Sequence, residues 1–212
     1  MPSTSPFLRL PVELRYAIYD HLCPREPHSY PYKQPSPIAA IDIAGPPKSL
    51  LLLNHALLEE LSTYYFARCT FRFVAQSFST GKNVRKHMCA GSLQIVRKMK
   101  KVEMLLLPGT MKAMSYSAEV SLTTRGMSKL WLVDQMRLLR DEAWALTTIT
   151  VSVRRVSWCH EWSMLDETEA LLHPLKELKG RVAFKAGEVM GPATVEDEMR
   201  ETLETVIGKL SS

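Results

Sequence analysis

From residue 70 onward, segments of two-residue periodicity alternate with segments of helical periodicity, and few folds accommodate that order. Strand-like runs fall at 70–74, 102–107, 147–153 and 181–185. The third is the clearest, because Ile149, Val151 and Val153 alternate with Thr148, Thr150 and Ser152. Helical patterns occupy 83–98, 129–146, 163–178 and 194–210 between and after them. A β-α repeat of this kind predicts an α/β fold with a small, mainly parallel sheet, helices packed on it, and right-handed crossovers. The Thr and Ser positions of the third strand predict one sheet face that is only partly covered, where a partner can dock.

Local signals sharpen the boundaries. Leu132, Met136, Leu139 and Ala143 form the buried stripe of the helix at 129–146. Pro174 bends the helix at 163–178, and Gly180 suits its C-terminal cap. Thr194 with Asp197 resembles a capping box at the start of the last helix.

Two further helical segments precede the repeat. Leu10, Leu14, Ile18 and Leu22 recur every four residues, with Tyr19 on the same face, which predicts an amphipathic helix that Pro11 opens and Pro24 closes. A second helix spans 48–67, with Leu50, Leu53, Leu57, Leu61 and Tyr64 or Tyr65 as its stripe. Residues 24–47 hold seven of the thirteen prolines and read as an extended, exposed excursion with a short strand at 38–43 laid on the sheet edge. The flanking helices are expected to pack together through Leu14, Ile18, Leu53 and Leu57. The Pro- and Ser-rich residues 1–6 predict a disordered tail, and 7–212 a single domain, with 7–74 as its helical part and 75–212 as its α/β part.

Composition excludes some classes. With 46% apolar and 23% charged residues, the 212-residue chain can bury a substantial core, which argues against global disorder. The segment Met1 to Arg15 does not read as a signal peptide, and no apolar run is long enough to span a membrane. Four scattered cysteines lack the spacing of a disulfide scaffold, so reduced thiols and a cytoplasmic or nuclear location are expected.

The net charge of +5 is unevenly placed. No acidic residue occurs from Leu61 to Val102, where Lys82, Arg85, Lys86, Arg97, Lys98, Lys100 and Lys101 form a candidate basic patch. The C-terminal helix is acidic, and the two regions are candidates to pair.

Leu10-Pro11-Val12-Glu13-Leu14-Arg15, followed by Ile18, Tyr19 and Leu22, resembles the opening of an F-box. It is most similar to fungal F-box-like domains of the type named for two Glu-x-Arg motifs, the first of which Glu13-Leu14-Arg15 matches. The Leu50 to Leu53 run, Tyr64-Tyr65-Phe66 and Thr70-Phe71-Arg72-Phe73 follow in the order of such domains, so the resemblance covers about residues 7–74. The second Glu-x-Arg is absent, since the chain reads Glu59-Glu60-Leu61. The excursion also separates the helices more than a compact F-box does. The resemblance implies that Leu10, Pro11, Leu14, Ile18 and Leu22 contact the Skp adaptor of a cullin ubiquitin ligase, while the C-terminal part captures a substrate. The same stripe has an alternative use, packing on the chain's own second helix and sheet.

No other constellation carries chemistry. His87-Met88-Cys89 and Cys159-His160 lack zinc-ligand spacing, and there is no nucleophile elbow or phosphate-binding Gly loop. Trp158 and Trp162 read as an edge of the core. No catalytic residue, metal or cofactor is expected. The chain reads as a protein-interaction module. A basic-surface nucleic-acid binder is the alternative, and an enzyme of fungal specialised metabolism is the third reading.

Overall fold

The computed structural model describes residues 6–30, 36–53, 55–75, 84–107, 124–154 and 164–211. The predicted tail, apart from Pro6, lies outside the described residues. A short 3-10 helix at Pro6–Arg9 leads into α1 (Val12–Leu22), with Pro11 as N-cap. A hairpin of β1 (His28–Ser29) and β2 (Ile38–Ile41) follows, then α2 (Lys48–Leu51), α3 (His55–Arg68) and β3 (Thr70–Val74). After β3 the chain continues as α4 (Val84–His87), α5 (Ala90–Lys98), β4 (Lys101–Leu106) and α6 (Thr124–Glu142). The remainder is β5 (Thr148–Arg154), α7 (Met164–Leu172), a 3-10 helix at His173–Leu178, β6 (Ala183–Met190) and α8 (Ala193–Ser211).

The fold is α/β, as the alternation predicts. Six described strands form one sheet in the order β1-β2-β3-β4-β5-β6. The pairs β3-β4, β4-β5 and β5-β6 are parallel, while β1-β2 and β2-β3 are antiparallel. When parallel strands advance one place at a time through right-handed crossovers, all their helices fall on one side. Burial agrees with that geometry. Phe71, Phe73, Val102, Met104, Ile149, Val151 and Phe184 are buried on one face, in a single core with Val96, Leu132, Met136, Leu139 and Leu203 from the helices.

Several sequence expectations hold. The α6 stripe is fully internal, the 163–178 helix changes to 3-10 geometry at Pro174, and Gly180 takes φ 79° after it. Others need correction. The helix expected at 48–67 is two, with Leu53 exposed between them. The basic helix is also interrupted, because the Cys89 side chain accepts the Ser92 N–H and caps α5 afresh. α8 starts at Ala193, where the Pro192 carbonyl accepts from Val195 and Glu196, so Thr194 lies inside the first turn and is not its cap.

The Pro-rich segment is more integrated than an exposed excursion. The strand expected at 38–43 is present as β2, which pairs with β3, and Ile38 and Ile43 enter the main core. Arg25, Glu26 and His28 remain exposed.

The N-terminal helices have their own small core of Tyr19, Leu57, Leu61 and Tyr64, with Phe7, Leu8 and Tyr16 packed against it. The Tyr16 and Tyr64 rings lie 4.9 Å apart, and Tyr19 and Tyr64 5.3 Å apart. Of the four residues expected to join the helices, only Leu57 is a core residue. Leu14 and Leu53 are exposed and Ile18 is half-buried. The tyrosines take the inward face because their hydroxyls find acceptors there. Tyr19 donates to Glu60 at 3.1 Å, and Tyr64 donates to Asp20, which also pairs with Arg68 at 2.9 Å. Burial and the nearby Glu60 carboxylate push Tyr19 up to about 12.

Arg15, the arginine of the Glu-x-Arg match, ties this unit together. Its Nε and Nη2 each donate to Glu60 at 2.8 Å, and Nη1 reaches the carbonyls of Leu8 and Leu10. The Arg15 hydrogen bond holds the Glu60 carboxyl below its usual range. A depressed carboxyl pKa contributes stability above the unfolded value, near 4.3 for glutamate, and loses it as pH falls through the folded value. Glu60→Gln should therefore melt below the parent at neutral pH. The gap should narrow as pH drops below about 4.3 and vanish in stronger acid. Melting by circular dichroism across pH checks this; a gap that stays constant into strong acid would show that ionisation of Glu60 is not the stabilising element.

Candidate interaction surfaces

α1 presents two unlike faces. Tyr16 and Tyr19 point into the small core, while Leu14 is 53% and Leu22 38% exposed. Pro11 is exposed, and Leu10 and Ile18 are half-buried. The apolar stripe at 10, 14, 18 and 22 is thus largely on the surface, with Val12 exposed beside it. The chain's own second helix occupies the tyrosine face instead.

The second surface is the sheet face away from the helices. Register places Arg72, Glu103, Thr150 and Lys185 in one row, and Thr70, Lys101, Thr148 and Ala183 in the row before it. No described helix packs there, and these residues are half-buried or exposed. A parallel sheet with one open face is unusual and must be polar on that face to tolerate water. Here Arg72 Nε donates to Glu103 at 2.7 Å, and Ser152 Oγ donates to the other Glu103 oxygen at 2.7 Å. Ser152 Oγ also accepts the Glu188 N–H at 3.1 Å, so one polar chain crosses β3, β4, β5 and β6. At its end β6 carries a bulge, with residues 187 and 188 opposite Ser152.

The expected basic patch does not form one face. Arg85 and Arg97 converge on Glu142 of α6, at 2.7 and 2.8 Å, and Glu142 is 2% exposed. Arg97 also lies over the Trp144 ring, 5.3 Å from its centroid. Lys98 points elsewhere, over Phe66 at 5.9 Å. Lys86 is exposed, Lys100 and Lys101 are half-buried at the start of β4, and Lys82 lies outside the described residues. The acidic partner of the patch is α6 and not α8. Glu142 and Trp144 escape sequence reasoning because Glu142 stands 45 residues from Arg97.

Neither the thiols nor the cavities assemble a catalytic centre among the described residues. Cys23 and Cys69 are buried free thiols, and burial raises both. Cys89 is exposed, and hydrogen bonding to Ser92 lowers it. A cavity of about 320 Å³ under the hairpin is lined by Tyr65, Phe66, Phe71 and Ile95. The hydroxyls of Tyr65 and Tyr30 beside it already donate to Ile43 O and Ser92 Oγ. No group of three His, Cys, Asp or Glu suited to a metal occurs among the described residues. The Cys159-His160 pair and the Trp158/Trp162 cluster lie outside them. No described helix is long and apolar enough to cross a membrane.

The bulge yields a sharp test of the open face. A Cβ at Gly187 would fall 2.4 Å from Ser152 Oγ and 2.7 Å from Thr150 Cγ2. Gly187→Ala should cost about 1–3 kcal/mol by overpacking. Combined with Ser152→Ala, the loss should be smaller than the sum of the two by at least about 0.5 kcal/mol, because the closest clash is gone. Urea denaturation of the cycle measures this, and strict additivity would rule out the close approach.

Comparison with known proteins provides no relative, since no family model, curated protein or solved structure matches the chain.

Proposed function

We propose that this chain is a non-catalytic protein-interaction module of F-box-like type, whose first helix docks on a Skp adaptor and whose α/β part presents a substrate. One observation carries the reading: α1 turns leucines outward and tyrosines inward. Burying an exposed leucine is worth roughly 1.5–3 kcal/mol, so a helix that leaves Leu14 and Leu22 in solvent forgoes stability unless a partner covers them. Helical apolar anchors spaced by four residues fit a groove between partner helices. The inward face needs none of them, because its polar tyrosines are satisfied by Glu60 and Asp20. The uncovered sheet face supports the second half of the reading, since it leaves a broad polar surface for a substrate on the side opposite the helices.

The basic region supports nucleic-acid binding less well. Its two arginines on α4 and α5 are committed to Glu142, and its lysines point to different faces. Cytoplasmic or nuclear residence accords with the Skp reading and with exposed Cys89 as a free thiol.

The test uses the full chain and purified Skp adaptor. The parent should be captured on immobilised adaptor. Leu14→Asp with Leu22→Asp should lose capture, by about 2 kcal/mol or more for each anchor, with unchanged circular dichroism and melting. Failure of the parent to bind, or full binding by the folded double variant, would overturn the proposal.

A further inference from the structure

We infer that the strand-start end of the sheet around Trp144 is a third interaction surface, one that receives an acidic segment of a partner protein bearing an apolar or aromatic anchor. The inference extends the interaction-module reading to a different face and does not depend on the α1 contact.

Trp144 sits in the turn between α6 and β5 and is 68% exposed, unusual for the most costly side chain to leave in water. It is also held rigidly. Its Nε1 donates to the Asp141 carbonyl at 3.2 Å, and Arg97 covers one side of the ring. Arg97 is fixed in turn by the buried Glu142, whose second oxygen holds Arg85. A rigid, exposed indole backed by arginine is the composition and preorganisation of an interface anchor.

Positive charge surrounds this turn. The Lys100 carbonyl accepts from Thr147 at 2.9 Å and from Thr148 at 3.1 Å, which brings the start of β4 alongside the turn. Lys101 follows and opens the uncovered sheet face. On the other side, the Arg181 guanidinium donates to the carbonyls of Arg140, at 2.7 Å, and Ala143. No described carboxylate pairs with Lys100, Lys101 or Arg181. Lys100 and Arg181 thus meet this turn through its backbone, and with Lys101 at the start of β4 they select for negative charge.

The distribution favours a peptide over a nucleic-acid strand. A phosphate backbone needs a continuous row of cations on one accessible face. Here Asp141 lies exposed beside the tryptophan, and Glu142 and Glu177 engage Arg85, Arg97 and Arg140. Carboxylates thus interrupt the row. What remains is one stacking platform with a few cations that pair with no described carboxylate, which matches a short segment combining one anchor with several acidic side chains.

Fluorescence anisotropy with the full chain tests this. The probes are a fluorescein-labelled peptide of glutamates around a central phenylalanine, the same peptide with lysines for glutamates, and labelled oligothymidylate. The acidic peptide should bind at low salt and weaken as salt rises, and the lysine peptide should not bind. Trp144→Ala should reduce its affinity by about ten-fold or more with unchanged melting. Lys100→Gln with Lys101→Gln should weaken binding and flatten the salt dependence. Leu14→Asp with Leu22→Asp should leave peptide binding unchanged, which separates this surface from the adaptor contact. Absence of acidic-peptide binding at low salt, equal binding by Trp144→Ala, or tighter binding of oligothymidylate would each overturn the inference.

Discussion

The handedness of the β-α-β crossover governs the layout of this molecule. Each parallel strand from β3 to β6 is added next to the last, and under the right-handed rule for such units each connection turns the same way. Helices are therefore stacked on one side, and the parallel strands turn an apolar face toward them and a largely polar face away. The polar side chains are not scattered ornaments of the exposed face. Arg72, Glu103 and Ser152 link four strands through hydrogen bonds that replace the packing a second helical layer would supply. The same architecture makes the sheet grow at its ends without closing. At one end the β1-β2 hairpin pairs with β3 and occupies the edge.

The hairpin changes how the N-terminal helices relate to the rest. In a compact three-helix arrangement, consecutive helices would pack over short connections. Here the chain leaves α1, adds two strands to the sheet, and only then returns as α2 and α3. Tyrosines suit such a join better than leucines. Tyr19 and Tyr64 fill space between α1 and α3 with their rings while their hydroxyls satisfy Glu60 and Asp20 on the opposing helices. Arg15 completes the same network from α1, so the Glu-x-Arg resemblance marks a structural clasp and not a surface site.

Legibility in the sequence followed the range of the interaction concerned. The α6 stripe, the bend at Pro174 and the cap at Gly180 are set by residues within a few positions of one another, and periodicity or backbone chemistry reveals them. The short strand at 38–43 is legible from its own apolar residues, but how far the surrounding segment enters the core depends on partners about thirty residues apart. Which face of α1 turns inward stays open in the sequence for a related reason. Leu10, Leu14, Ile18 and Leu22 and the Tyr16/Tyr19 pair are both apolar stripes at helical spacing. Only Glu60 and Asp20, paired across more than forty residues, decide which one turns inward. The interaction surfaces inherit this ambiguity. The outer stripe is visible as residues, while the choice between exposure and internal packing needs the partners across the fold.

Charge shows the same dependence on distance, with the opposite effect on appearance. The long acid-free stretch looks like one basic surface because sequence displays only the near neighbours of each cation. In three dimensions Glu142 enters from α6 and draws Arg85 and Arg97 to itself. A carboxylate only 2% exposed is costly to bury, and two charge-assisted hydrogen bonds are what make its burial tolerable. Those arginines are consequently held as braces on α6, and Arg97 also covers one side of the Trp144 ring. The cations that pair with no described carboxylate, Lys100, Lys101 and Arg181, come from strand entries that the parallel register brings to one end of the sheet. Parallel pairing thus converts a diffuse basic stretch into a compact rim, since strands that all start at the same end deliver the residues before them to the same edge.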